Sequence, residues 1–545
     1  MDHRAPAPAA RGRPWLVLAL ITAVMAAAGW LVGRGMPSAP PATAAPLPLA
    51  EALDRSLGRT PSRGGPALAM RPAPGTADDP ELASLSHSLC QLSVDRLRGL
   101  GGLRVAACES TRAALAAGLD DVALARLLAV DHLVHSRIER TPDGRLRLQL
   151  DLVQLPSQRS LWALATTLAP AELQRVPQQL AQQVAGRLGL GSALPPEDQP
   201  QPAAFERLLQ AQRVAARGTP DDQREALRLV DEALALHPGL KSARVMQLGL
   251  RNAALRFPTA AESADPAAQR QRQAQLMADA EALGRDLLAD GRADPRGLVL
   301  LANLAVQQRR WVDGFALLDQ ALPDHRIDPA SLRTAAHLHA MAGYRPRALD
   351  LALAATRLDP LNAVNHQALA FFHALLGDDA RMREHAAIAQ QLGDRVAVVY
   401  QGIAALRAGD WAQAEAATVE GLRGAGVAHG WVADFVRGAA DPTQREAAAA
   451  AIAALPAPLQ HGMANFHWYL AWLGDVPRAL QAVQGNLQGP IGAWQSNLWW
   501  PEFSTLRQSA GFAEVLANTG LPTLWAARGA PAGCEDQGGG RWACR

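Results

Sequence analysis

Small residues recur at fixed offsets through the second half of this 545-residue chain, and that recurrence constrains the fold more than any other feature. In AGYRPRALDLALAATRLDP, Gly343 is followed by Ala348, Ala355 and Pro360, and Ala226, Ala233 and Pro238 repeat the last three positions at the same offsets. A glycine followed five residues later by alanine recurs as Gly409/Ala414 and Gly474/Ala479. Seven residues before three of the turn glycines (Gly343, Gly377 and Gly409) stand Ala336, Ala370 and Gly402, at separations of 34 and 32. A small residue where two antiparallel helices cross lets their backbones approach, and proline ends the second helix because it cannot continue the hydrogen-bond ladder. Generic alanine-rich helices would not keep this register, so the spacing predicts a stack of helix hairpins.

The same residues resemble the tetratricopeptide repeat (TPR). That resemblance implies an α-solenoid over residues 203–520 whose concave surface, formed by the first helix of each pair, takes a protein or peptide partner. On repeat geometry Arg333, His337, Gln367 and Phe371 are candidates for this groove. Each has an alternative as solvated surface or inter-repeat packing.

Residues 66–190 read differently. PALAMRP (66–72) and LRVAA (103–107) are strand candidates, separated by an Asp79-Pro80 turn and an amphipathic helix from Leu82 to about Leu100. A second helix spans Asp120 to Leu128. HLVHSRIER, TPDG and RLRLQLDLVQL form a hairpin pattern, with period-two alternation on both sides of a turn. SLWALATTL and a helix through Leu188 close a βαβαβββα unit, expected to carry helices on one face of its sheet. Gly186, Gly189 and Gly191 read as a helix stop rather than a phosphate loop.

This run resembles the TolB N-terminal-like domain, which lies between the transmembrane helix and the repeats in CadC-like membrane regulators. The matching features are the strand and Asp-Pro before the first helix, GLRVAA after it, the short helix before DHLVHSRI, and Trp162. The first helix departs from the family, carrying LSHSLCQL where relatives have an acidic, threonine-containing stretch. The overall expectation is therefore an α+β chain: a small sheet domain followed by the α-solenoid, with an N-terminal transmembrane helix.

WLVLALITAVMAAAGWLVG, residues 15–33, is free of charge and long enough for an α-helix to cross a hydrocarbon core of roughly 30 Å. A cleavable signal has a shorter apolar core with a small-residue cleavage site close behind it, whereas the nearest such site here is Ala42 to Ala44. Arg4, Arg11 and Arg13 precede the stretch and place residues 1–14 in the cytoplasm by the positive-inside rule. The expectation is a single-pass bacterial inner-membrane protein whose bulk is periplasmic. Residues 34–65 form a Pro/Ala-rich stalk and 191–202 (GSALPPEDQPQP from 191) a linker. With only residues 1–14 before the anchor, no cytoplasmic output domain is expected, so signalling through a partner membrane protein is the alternative to a binding scaffold.

The formal charge of +2 is spread without a basic face, which argues against nucleic-acid binding. Lys241 follows leucine rather than a glycine-rich turn and is the single lysine, which excludes a P-loop. No catalytic, cofactor-binding or metal-binding residues are assigned, and the chain is read as non-enzymatic. His337 and His339 point to different faces of a helix, while His366 and His373 share a face two turns apart. Four cysteines in an exported chain favour disulfides, with three connectivities possible. Cys534 and Cys544 enclose a glycine-rich loop that can fold back. Cys90 in the first helix and Cys108 at the end of the next strand could meet where helix packs on sheet, or be buried core thiols. Residues 521–545, with the helix before them, resemble the C-terminal cap of these repeat proteins.

Overall fold

The computed structural model describes residues 65–72, 79–155, 157–191, 201–215, 219–254, 266–289, 294–424, 429–455, 466–488 and 491–545, together with Leu49, Ala52 and Leu53. The expected membrane helix at 15–33 and most of the stalk lie outside these residues. Among the described residues no helix is long and apolar enough to cross a membrane.

The first unit contains β1 (Ala67–Arg71), α1 (Pro80–Arg98), β2 (Arg104–Val105), α2 (Cys108–Ala116), α3 (Asp121–Leu128), β3 (His132–Arg140), β4 (Leu146–Gln154), β5 (Arg159–Leu168) and α4 (Val176–Leu188). Its sheet has the order β2-β1-β3-β4-β5. The pairs β1/β2 and β1/β3 are parallel, and β3/β4 and β4/β5 antiparallel. The hairpin legible in the alternating sequence pairs Arg140 with Leu146, and β4 buries every second residue from Leu146 to Leu152. Asp79 starts α1 by accepting from Leu82 N at 2.9 Å, with Pro80 in the first turn, where a missing N–H costs nothing.

Two expectations for this unit are corrected. The order is βαβααβββα, because Ala107 is the extended N-cap residue of an extra helix, α2, and Cys108 is that helix's first residue rather than a strand end. Strand β2 is only two residues long, so the apolar run LRVAA divides between a strand and a cap. Helices also lie on both faces of the sheet. Leu68, Met70 and Val134 pack with α1 and α4, whereas Ala67, Ala69 and Leu133 share a core with α2 and α3.

The rest is helical hairpins: α5 (Pro202–Ala215) with α6 (Pro220–Leu236), α7 (Lys241–Ala254) with α8 (Pro266–Ala289), and α9 (Pro295–Gln307) with α10 (Trp311–Ala321). There follow α11 (Pro329–Met341) with α12 (Arg345–Leu358), α13 (Ala363–Leu376) with α14 (Asp379–Gln391), and α15 (Val399–Ala408) with α16 (Trp411–Gly424). The last pairs are α17 (Val432–Ala440) with α18 (Arg445–Ala453) and α19 (Phe466–Trp472) with α20 (Val476–Asn486). The aligned small residues sit where hairpins close: Ala226, Ala336, Ala348, Ala355, Ala370, Ala414 and Ala479 are all buried. Gly343, Gly377, Gly409 and Gly474 turn between helices with φ of 87°, 74°, 74° and 80°, a left-handed conformation that favours glycine.

Regular pairing ends at Asn486. Beyond it, 3₁₀ turns at Ala493–Trp499 and Pro501–Phe503 lead into α21 (Ser504–Arg507), α22 (Phe512–Thr519), α23 (Leu521–Arg528) and a β6/β7 hairpin, Cys534–Asp536 with Trp542–Cys544. This C-terminal arm folds back on the stack. Both disulfides form, Cys90–Cys108 and Cys534–Cys544, with Cα separations of 6.0 and 4.1 Å.

Candidate binding surface

The four residues placed in the groove by repeat spacing do not line an open surface. Arg333, Gln367 and Phe371 are buried, and His337 is half-buried. Arg333 donates through Nη1 to Asn365 Oδ1 at 2.5 Å, and Asn365 donates to Asp359 O at 2.8 Å. Burial draws the Arg333 guanidinium below its ordinary value. His337 lies 5.1 Å from Phe372 and 5.8 Å from Phe371 between ring centroids. Trp500 of the arm meets Phe371 edge-on at 6.0 Å, and the 493–499 turn packs on α11. Helix α13 is buried from Ala363 to Leu375, around its whole circumference. At α11 and α13 the chain therefore covers these positions itself.

The arm is held through the turns that join first to second helices. The last carbonyls of an α-helix have no partner within it. Here the arm supplies donors: Gln495 Nε2 and Trp499 Nε1 each donate to Met341 O at 3.1 Å, Trp525 Nε1 to Ala342 O at 3.0 Å, and Ile491 N to Gln307 O at 3.1 Å. In return Trp311 Nε1 donates to Thr519 O at 2.7 Å and Tyr344 to Gly529 O at 2.8 Å. Arg407 donates to Asp379, Glu502 and Ala374 O, and its guanidinium lies 5.6 Å from the Trp500 ring centroid. Residue spacing did not reveal this contact; the available signal was the tryptophan-rich NLWWPEF, whose indoles can bury a large face while donating one hydrogen bond.

The α9/α10 turn breaks the glycine register. Arg309, which stands 34 residues before Gly343, adopts a φ of 63°. Its Nε donates to Asn518 O at 2.9 Å and its Nη2 to Leu487 O at 2.5 Å, tying the turn to the ends of α20 and α22. A left-handed conformation costs a non-glycine residue roughly 1–2 kcal/mol, so the side-chain bonds offset local strain. Around it opens a polar recess of about 570 Å³, lined by Arg309, Gln484, Leu487, Gln488, Glu514 and Asn518. Two large apolar side chains, Leu376 and Trp411, are exposed at the α13/α14 and α15/α16 turns, two and three hairpins along from Arg309, at 38% and 36%.

His366, His373 and His385 come together inside the α13/α14 hairpin. Among the described residues, no group of three or more His, Cys, Asp or Glu side chains is placed to hold a metal ion.

No family model matches the chain, and no curated protein matches it. Among solved structures it is similar to the Cut9–Hcn1 hetero-tetramer of APC/C at 13% identity and a TM-score of 0.36, covering 64% of this chain and 62% of that one. This chain thus spans less than two thirds of the length of that protein. It is also similar to the human IFIT1 dimer with m7Gppp-AAAA at 12% identity and a TM-score of 0.30, covering 65% of this chain and 74% of that one.

Proposed function

We propose that this protein is a non-enzymatic TPR scaffold for a protein or peptide, held at the outer face of a bacterial inner membrane with a TolB N-terminal-like unit next to the membrane. The observation that carries the scaffold reading is the register of the hairpins. Gly402 on α15 is packed so tightly against Thr418 on α16 that the small residue anticipated from the sequence is required there. Repeats so stacked bury one another and leave function to extended surface.

Because the inner face is covered at α11 and α13, the partner docks on what the arm leaves exposed of the turn edge, at the Leu376 and Trp411 side chains. Support for the outer compartment comes from the two disulfides, which persist where thiols are oxidised, and from the uncharged stretch 15–33. A C-terminal fusion to a reporter active only outside the cytoplasm tests topology, and an inactive reporter in an expressed fusion rejects it. Crosslinking and pull-down of the anchored protein from its native membrane tests the scaffold. A partner lost on Trp411→Asp substitution is expected; recovery of none under several conditions counts against the reading.

A further inference from the structure

The 358–362 loop between α12 and α13 is where the helical stack meets the α/β unit. Ala107 N donates to Leu358 O at 2.9 Å, Ser110 donates to the Asp359 carboxylate, and Leu361 N donates to Ser110 Oγ at 2.9 Å. From inside the stack the same loop is held by His366, whose Nε2 lies 2.9 Å from Pro360 O. A carbonyl only accepts, so this nitrogen carries the proton. In neutral His366 the Nδ1 is then an acceptor, and its neighbour at 3.1 Å, His385 Nδ1, must be the donor. The remaining His385 Nε2 is buried without a hydrogen-bond partner.

We propose that the His366–His385 pair is an acid-sensitive catch that holds the 358–362 loop, and through it the α/β unit, onto the helical stack. An added proton has two places to go. On His366 Nδ1 it sets two N–H groups against each other unless His385 moves its own proton to Nε2, where the N–H meets no acceptor, and either way a cation is buried. On His385 Nε2 it puts a cation into a buried site that offers no acceptor, which is costly.

The surrounding charges favour the neutral state. His373 stacks on His385 at 5.4 Å and 14°, and Arg381 approaches from the same helix as His385. Asp378, 3.5 Å from His373 Nδ1, acts in the opposite sense on that ring. Glu384 precedes His385 on α14, and Asp359 sits in the loop itself. Burial, then His366, His373 and Arg381, hold His385 down to about 2. The Asp359 carboxyl is raised by burial, so its own protonation favours the docked state and opposes release. The catch is thus closed above the ordinary imidazole value of about 6.5 and weakens as pH falls below it.

Hydrogen exchange on the full chain, with disulfides intact and rates corrected for intrinsic pH dependence, tests this. Between pH 7.5 and 5.5, protection of 107–111 and 358–362 is expected to fall about tenfold, one decade per pH unit below the free imidazole value, while that of 146–152 in strand β4 falls less. In the double variant His366→Gln/His385→Gln the two amides can keep the bonds to Pro360 O and to each other with no group left to titrate, so loop protection should lose most of its dependence on pH; His373→Gln should keep the wild-type response. An unchanged response in the double variant, equal loss in the loop and in 146–152, or no loss in the wild type overturns the proposal. Should the double variant not fold, His385→Gln is judged by the same criteria.

Discussion

Gly402 lies so close to Thr418 that a Cβ on it would stand 2.6 Å from Thr418 Oγ1 and 3.1 Å from its backbone nitrogen. Alanine is the better helix former by about 1 kcal/mol, yet here it meets a backbone atom that cannot swing aside. Overpacking of this kind costs roughly 1–3 kcal/mol. Gly402→Ala is therefore expected to lower the urea midpoint and Gly402→Val to lower it further. A midpoint at or above wild type for both would show that the hairpin has slack.

The αL turn at Arg309 sets strain against two hydrogen bonds. Arg309→Gly relieves roughly 1–2 kcal/mol of conformational cost but removes charge-assisted bonds worth roughly 1.5–3 kcal/mol each. The expected balance is destabilisation with faster proteolysis after Leu487, where the arm departs. Arg309→Gly matching or exceeding wild-type resistance would mean that the bonds to Asn518 and Leu487 contribute little.

Trp525 is 1% exposed and its indole caps Ala342 O. Trp525→Phe keeps most of the ring but leaves that carbonyl without its donor, an expected loss of about 1–3 kcal/mol. Thermal melts of the oxidised protein should show it, together with easier cleavage of the arm. Equal melting temperatures would argue that water replaces the indole.

Several buried histidines make the fold acid-labile. Burial holds His339 down to about 4, His467 to about 3 and His385 to about 2. These folded values lie below the unfolded value of about 6.5, so the unfolded chain takes up protons first as pH drops. Stability is present above pH 6.5 and lost below it, by about 1.4 kcal/mol per histidine at pH 5.5. Urea midpoints measured at pH 7.5 and 5.5 should differ markedly; His467→Leu, where the volume is nearly kept, should narrow the gap. A midpoint independent of pH over this range would refute the assignment.

Much of this protein was legible in the chain. Ala336, Ala370 and Gly402 mark helix crossings because closeness demands small side chains at specific positions. Alternation over 132–154 marked the hairpin because one sheet face is buried. Short-range steric and hydrophobic rules suffice for both. Helix α2 was missed because a two-residue strand and an extended cap look alike in sequence, and only pairing with β1 tells them apart.

The sequence by itself determined the repeating hairpins, the small sheet and their order, since each depends on residues close in the chain. Only the tertiary structure decided that the inner face is covered at α11 and α13. Arg333, Gln367 and Phe371 sit at positions that would line a groove, but the arm returns from more than 100 residues away to put Trp500 on Phe371 and indoles on the helix-end carbonyls. The apolar area of those tryptophans and the unpaired carbonyls that accept from them are complementary only once the stack exists, so no local pattern could announce the match.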